Sequence, residues 1–200
     1  MKSIFLFLVM AVCGIHDAAA QSFDLRGMLG SLVSSDKVSV EKMSGTWNYS
    51  APAVSFKSDN LLKKAGGAAA SSAVESKLAP YFKKAGVENM VLTVERDSTF
   101  TMKISKATLK GTISAVTDKK SEANFVFNFK VGGKIPLGKM DSYVTMSGSN
   151  TLSLTFDVSK LVTIIEKAGT LTGNSTINGV SSVLKGYDGI CAGFKLTRSK

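Results

Sequence analysis

The stretch SGTWNYSAP, residues 44–52, carries the only tryptophan of the 200-residue chain. Apolar and polar side chains alternate through it. That period of two predicts a strand from Met43 to Ser50, with Trp47 and Tyr49 on one face. One strand cannot bury a tryptophan, so its meaning depends on the partners the rest of the chain supplies.

Downstream the same period recurs. Met90, Leu92 and Val94 share a face of a strand from Met90 to Glu95, and Arg96-Asp97 reads as a tight turn into Thr99 to Ile104. There Phe100, Met102 and Ile104 alternate with Thr99, Thr101 and Lys103. Thr108 to Val116 alternates Leu109, Gly111, Ile113 and Ala115 with polar partners. Asn124 to Val131 gives the clearest alternation, with Phe125, Phe127, Phe129 and Val131 on one side. A Gly-Gly turn at 132 leads to a strand near Asp141 to Ser147, and Gly148-Ser149-Asn150 turns the chain again. Leu152, Leu154, Phe156 and Val158 form the next apolar face, and Ile190 to Arg198 the last.

Two segments depart from this pattern. Asp59 to Ala85 has helical spacing in Leu61, Leu62, Ala65, Ala69, Ala73, Leu78 and Phe82, with Gly86 as its stop. Pro80 is expected to kink that helix or to begin a second one. Its AGGAAASSA stretch, residues 65–73, reads as a small-faced helix lying close to a sheet. Ser159 to Gly186 reads as two short helices split near Gly169 to Asn174. Phe23 to Val33 allows a brief helix weakened by Gly27 and Gly30, followed by a loop at 34–37.

The strands number eight, and the six between residues 90 and 158 have short connections, so they predict an antiparallel meander. A sheet of this size with one apolar face closes into a barrel, which removes both edges and buries the apolar faces inside. Closure brings the first and last strands together. Trp47 then plugs one end, and Arg198 is placed to lay its guanidinium over the indole. The expected class is therefore mainly β: an eight-stranded antiparallel barrel with helical insertions between strands 1 and 2 and between strands 7 and 8.

Gly45-Thr46-Trp47 in the first strand and a basic residue late in the last resemble the lipocalin and fatty-acid-binding superfamily. The insertion after strand 1 looks like the helical lid of fatty-acid-binding proteins. From SGTWNYSAPAVSF through LTVERDSTFTM to LSLTFDVSKL, the chain is similar to a family of secreted lipocalin-like proteins of gut Bacteroidetes, a domain of unknown function. The resemblance implies the barrel and carries no established ligand. Two insertions rather than one, and no disulfide, separate this chain from the wider superfamily.

Residues 1–20 read as a secretory signal peptide. Lys2 opens it, Ile4 to Val12 is a short apolar run, and Ala18-Ala19-Ala20 precedes the expected cleavage before Gln21. Residues 21–42 then form an N-terminal segment and 43–200 a single barrel domain. Export to the periplasm or the exterior is expected. Lipid anchoring through Cys13 is disfavoured by the bulk of Val12 before it. Removing Lys2 and Asp17 together leaves the formal net charge at +10. Of the 25 basic residues only Arg26, Arg96 and Arg198 are arginine, and the lysines are scattered singly or in pairs. Nucleic acid is not the expected partner, because its binders cluster Arg and Lys with aromatics. Weak contact with an anionic membrane surface or a glycan stays open.

Catalytic readings find little support. With His16 and Cys13 in the leader, the expected mature chain has no histidine and keeps only Cys191, so no internal disulfide, triad or His-ligated metal can form. Cys191 reads as a small residue of the last strand. Ser34-x-x-Lys37 followed by Ser58-Asp59-Asn60 lacks the Lys-Thr-Gly that serine–lysine enzymes need, and Ser182-x-x-Lys185 has no companions. Glu95 and Asp97 read as a solvated hairpin tip rather than a glycosidase pair. No catalytic residue, metal or cofactor is expected. Three functions remain. The first is carriage of a small apolar or amphipathic molecule in a barrel lined by Phe100, Met102, Phe125, Phe127, Phe129, Leu152, Leu154 and Phe156. The second is an envelope interaction module with a filled barrel and a protein or glycan partner. The third and weakest is an enzyme working through a carboxylate or lysine.

Overall fold

The structure, a computed structural model, describes residues 38–57, 68–105, 107–118, 120–161 and 190–200. The expected signal peptide, the brief helix at 23–33, the loop at 34–37 and most of the second insertion lie outside these residues, as do the first turns of the helix predicted from Asp59.

Eight antiparallel strands close in sequence order: β1 Gly45–Phe56, β2 Val91–Val94, β3 Thr99–Ile104, β4 Ala107–Ala115, β5 Phe125–Val131, β6 Ile135–Ser147, β7 Thr151–Asp157 and β8 Ile190–Arg198. The last pairs with the first, from Trp47↔Arg198 to Phe56↔Ile190. The expected meander and closure are both present, and β3 and β8 have the predicted bounds. Alternation puts one face of every strand into a single apolar core that runs from Met43 at one end to Phe82 at the other.

Three expectations need correction. β1 continues beyond Ser50 to Phe56, because a bulge between Tyr49 and Ala51 shifts the register and interrupts the alternation. Pro52 is tolerated there, since β2 pairs with β1 only as far as Asn48. β6 likewise begins at Ile135, well before Asp141, with a bulge opposite Phe129 and Lys130.

The third concerns the helix α2, Ala68–Lys84, which is one element through Pro80, so of the two expected outcomes the start of a second helix is ruled out. Its buried side is Val74, Leu78 and Phe82, spaced four apart, whereas Ala69 and Ala73 are exposed. Ala70, in line with Val74, and Ser71 are half-buried, and residues 65–67 lie outside the described residues. Gly86 ends the segment in the left-handed region at φ 74°, before a 3-10 turn at Val87–Asn89.

α2 positions itself by covering an edge. Beyond Asn48, β1 loses β2 as a partner, and the Tyr49 amide donates to the Met90 carbonyl as the strands part. Further along, the Val54 amide donates to Oε1 of Glu75 on α2 at 3.0 Å. Phe82 enters between Tyr49 and Phe194, at ring separations of 6.4 and 5.7 Å. The helix thus covers strand backbone that would otherwise be an open edge, and contributes apolar side chains to the core.

Candidate functional site

At the end of the barrel opposite α2, a four-residue helix α1, Val40–Met43, precedes β1 and is capped by Ser39, whose Oγ accepts from the Lys42 amide at 3.2 Å. Met43 is buried beneath the barrel, and its carbonyl accepts from Trp47 Nε1–H at 2.8 Å. That bond satisfies the one polar atom of a side chain that is wholly buried. Arg198, paired with Trp47 in the register, holds its guanidinium 4.2 Å from the indole centroid. The same guanidinium donates to three carbonyls, those of Ser149, Ser44 and Lys42, each at 2.8 Å.

The Gly-x-Trp spacing has a steric cause here. Gly45 has φ +128°, and a β-carbon on it would lie 2.6 Å from Arg198 Nη1. Glycine two residues before the tryptophan clears the space in which the arginine stacks. Trp47 and Arg198 are therefore brought together as the sequence predicts, and their arrangement closes the barrel.

The eight predicted lining residues all point into the barrel, and none is more than 2% exposed. Four of them meet as a ring cluster. Phe100 of β3 lies 5.1 Å from both Phe127 and Phe129 of β5, and Phe156 of β7 lies 5.7 and 5.8 Å from the same two. Centroid spacings of this size are direct aromatic contact. The rings reach across the barrel, so its middle is occupied by the chain's own side chains. Gly111 makes this possible. It sits in register between Phe100 and Phe129, and a β-carbon there would fall 2.9 Å from Phe100 Cε1 and 1.8 Å from the Asn128 carbonyl oxygen. Met102, Phe125, Leu152 and Leu154 pack in the same core.

The buried polar groups inside are satisfied. Ser142 faces the core, and its Oγ donates to the Phe125 carbonyl at 3.0 Å. Just before β5, the exposed Asn124 spans to β6 with both ends of its amide, donating to the Val144 carbonyl at 2.6 Å and accepting from the Val144 amide at 2.8 Å. These contacts knit the strands together. Among the described residues every buried side-chain polar atom has a partner.

On the alternate face of β8, Cys191 is fully buried, and burial pushes its thiol up to about 11. A thiol held so far above neutrality is inert, which matches its reading as a small strand residue. Tyr143 nearby is pushed up to about 12, chiefly by burial. Beside them Asp157 pairs with Lys57. Burial pushes the Asp157 carboxyl up, but hydrogen bonds from Lys57, Ser159 and the Lys160 amide outweigh it and hold the carboxyl at about 2.

At the Trp47 end an open crevice of about 860 Å³ lies between residues 44–46 and 93–97. Its carboxylates are turn residues, as expected. Asp97 accepts from the Thr99 amide at 2.9 Å and the Thr99 hydroxyl at 2.7 Å, and these bonds lower its carboxyl below the ordinary range. Among the described residues no cluster of His, Cys, Asp and Glu could hold a metal, and no helix is long and apolar enough to cross a membrane. Ser34, Lys37, Ser58, Ser182 and Lys185 lie outside the described residues.

Sequence comparison agrees with the fold. The profile of a family described as Lipocalin-like domain (DUF4923) matches residues 21–198. No curated protein and no solved structure matches the chain.

Proposed function

The chain belongs to the lipocalin-like domain family, and from that premise we propose that it is a non-catalytic, exported barrel that works through its outer surface, as an interaction module of the cell envelope. One observation carries this reading. Phe100, Phe127, Phe129 and Phe156 are in mutual contact across the barrel, where a carrier would keep its ligand space. Export is supported by the leader pattern of residues 1–20, and the family match begins at Gln21, directly after it. The absence of histidine beyond His16 supports the non-catalytic part.

Carriage of a small apolar or amphipathic molecule is the competing reading, and the family's fold favours it. It requires the four rings to part, or the guest to lodge beneath α2 near Tyr49, Phe82 and Phe194. A native mass spectrum of the protein purified gently from its own cells separates the two. A bare mass, with no uptake of added fatty acid or sterol, is the expected result. A stoichiometric adduct lost on denaturation would overturn the filled-barrel reading and identify the cargo by its mass.

A further inference from the structure

We infer that the β5–β6 hairpin tip docks on an anionic lipid bilayer, a partner that gives the proposed surface action its object and rests on that reading. The tip is a tight turn. Gly132 and Gly133 both have positive φ, 56° and 78°, and the Lys134 amide donates back to the Val131 carbonyl at 3.1 Å. The two glycines have the positive φ of a primed turn, within a three-residue connection, Gly132 to Lys134, between the paired residues Val131 and Ile135. It lies at the end of the barrel away from Trp47.

Two independent features meet there. The first is charge. Lys110 of β4 and Lys130 of β5 are direct cross-strand partners on the outer face. Like charges placed opposite one another destabilise a sheet, so the pair is unfavourable in the protein alone. Lys103 on β3 faces outward diagonal to Lys110, and Lys134 sits in the turn itself. The direct cross-strand neighbours of Lys103, Lys110 and Lys130 are Val91, Thr101, Thr108, Pro136 and one another, with no carboxylate among them. The stem of Lys110 lies across the turn, its Cδ 3.5 Å from where a β-carbon on Gly133 would be.

The second feature is apolar. Ile135, the residue after Lys134, is 48% exposed and is the one large hydrophobic exposed among the described residues. A polyanion dissolved in water offers nothing to an exposed isoleucine. A bilayer offers both halves of the match: headgroup phosphates for the lysines and acyl chains for the aliphatic tip. Lysine stems suit this position, because they lie along apolar surface while their ammonium groups reach the phosphates. The glycines add no bulk between the backbone and the headgroups. Arginine and exposed aromatic rings, the usual means of gripping nucleic acid, are missing from the tip.

The test is co-sedimentation of the protein from its native cells with phosphatidylcholine vesicles and with equimolar phosphatidylcholine–phosphatidylglycerol vesicles. Binding to the mixed vesicles alone is expected, weakening as salt is raised. Replacing both Lys110→Gln and Lys130→Gln should lower partitioning about 30-fold, and Ile135→Ser about 5-fold. The double lysine variant removes a repulsive pair, so its melting temperature should hold or rise, which separates lost docking from lost folding. Failure to bind the mixed vesicles would overturn the inference while leaving the filled-barrel reading intact. So would vesicle binding that Ile135→Ser leaves unchanged and soluble polyglutamate abolishes, since the partner would then be a polyanion in water.

Discussion

Replacing Arg198 by alanine tests the reasoning on barrel closure most directly. The side chain stacks on Trp47 at 4.2 Å and donates to the Lys42, Ser44 and Ser149 carbonyls. A cation–π contact of this kind contributes about 1 kcal/mol. Hydrogen bonds from a charged donor stabilise by about 1.5 kcal/mol or more where they are dry. Here the three carbonyls lie near the surface and regain water when the arginine is removed, which lowers each to about 0.5–1 kcal/mol. Together Arg198→Ala should cost about 3 kcal/mol. Urea unfolding followed by the fluorescence of Trp47, the only tryptophan, reads this without added probes. With a slope of about 2 kcal/mol per molar urea, the midpoint should fall by about 1.5 M. Arg198→Lys keeps a cation near the indole but loses the planar fork that spans three acceptors, so it should recover less than half of the loss. Gly45→Ala should resemble Arg198→Ala, because its methyl would lie 2.6 Å from Nη1 and force the guanidinium aside. A loss below about 0.5 kcal/mol for Arg198→Ala, or full rescue by lysine, would refute the account of the seam.

Two further outcomes are expected. Phe127→Ala removes a ring in contact with three others and should cost about 3–5 kcal/mol; calorimetric titration should show the variant taking up benzene, where the unaltered protein takes up none, and equal uptake by both would contradict a filled core. Asp157, held at about 2 against an unfolded value near 4, contributes stability that is complete above about pH 4 and is lost as the pH falls toward 2. Because its partner Lys57 is 35% exposed, the contribution is screened to about 1 kcal/mol. Asp157→Asn should flatten the acid limb of a melting-temperature profile, and an unchanged limb would remove the pair from the account.

Much of the barrel was legible because period-two alternation survives wherever a strand has one wet face. β3 and β8 show it cleanly, and their bounds follow from it. Alternation fails at bulges, which is why the second half of β1 and the first part of β6 escape it: Ser50 and the Pro136–Gly138 stretch break the phase before the ladder ends. The Trp47–Arg198 contact was legible from residue types and closure, but the reason for Gly45 required the position of Nη1. The state of the interior was not legible. Gly111 reads equally as empty space or as room for a neighbour, and only the register that sets it between Phe100 and Phe129 decides. The lysine cluster is hidden for the same reason. Lys103, Lys110 and Lys130 stand apart in sequence and become neighbours only through strand pairing.

The pairing of β1 with β8 also sets an order of events for a chain made from one end. Hairpins from β2 to β7 need only local contacts and can form early, whereas β1 waits for residues 190–198 before it acquires its longest partner. Ser44 and Arg198 lie 154 positions apart, so the seam is the slowest contact to find and its closure is the natural last step. Until then β1 carries a free edge, and a chain cut short before Ile190 would keep that edge permanently. Loss of β8 should therefore be far more damaging than its nine residues suggest, yielding an open sheet that pairs with its own copies.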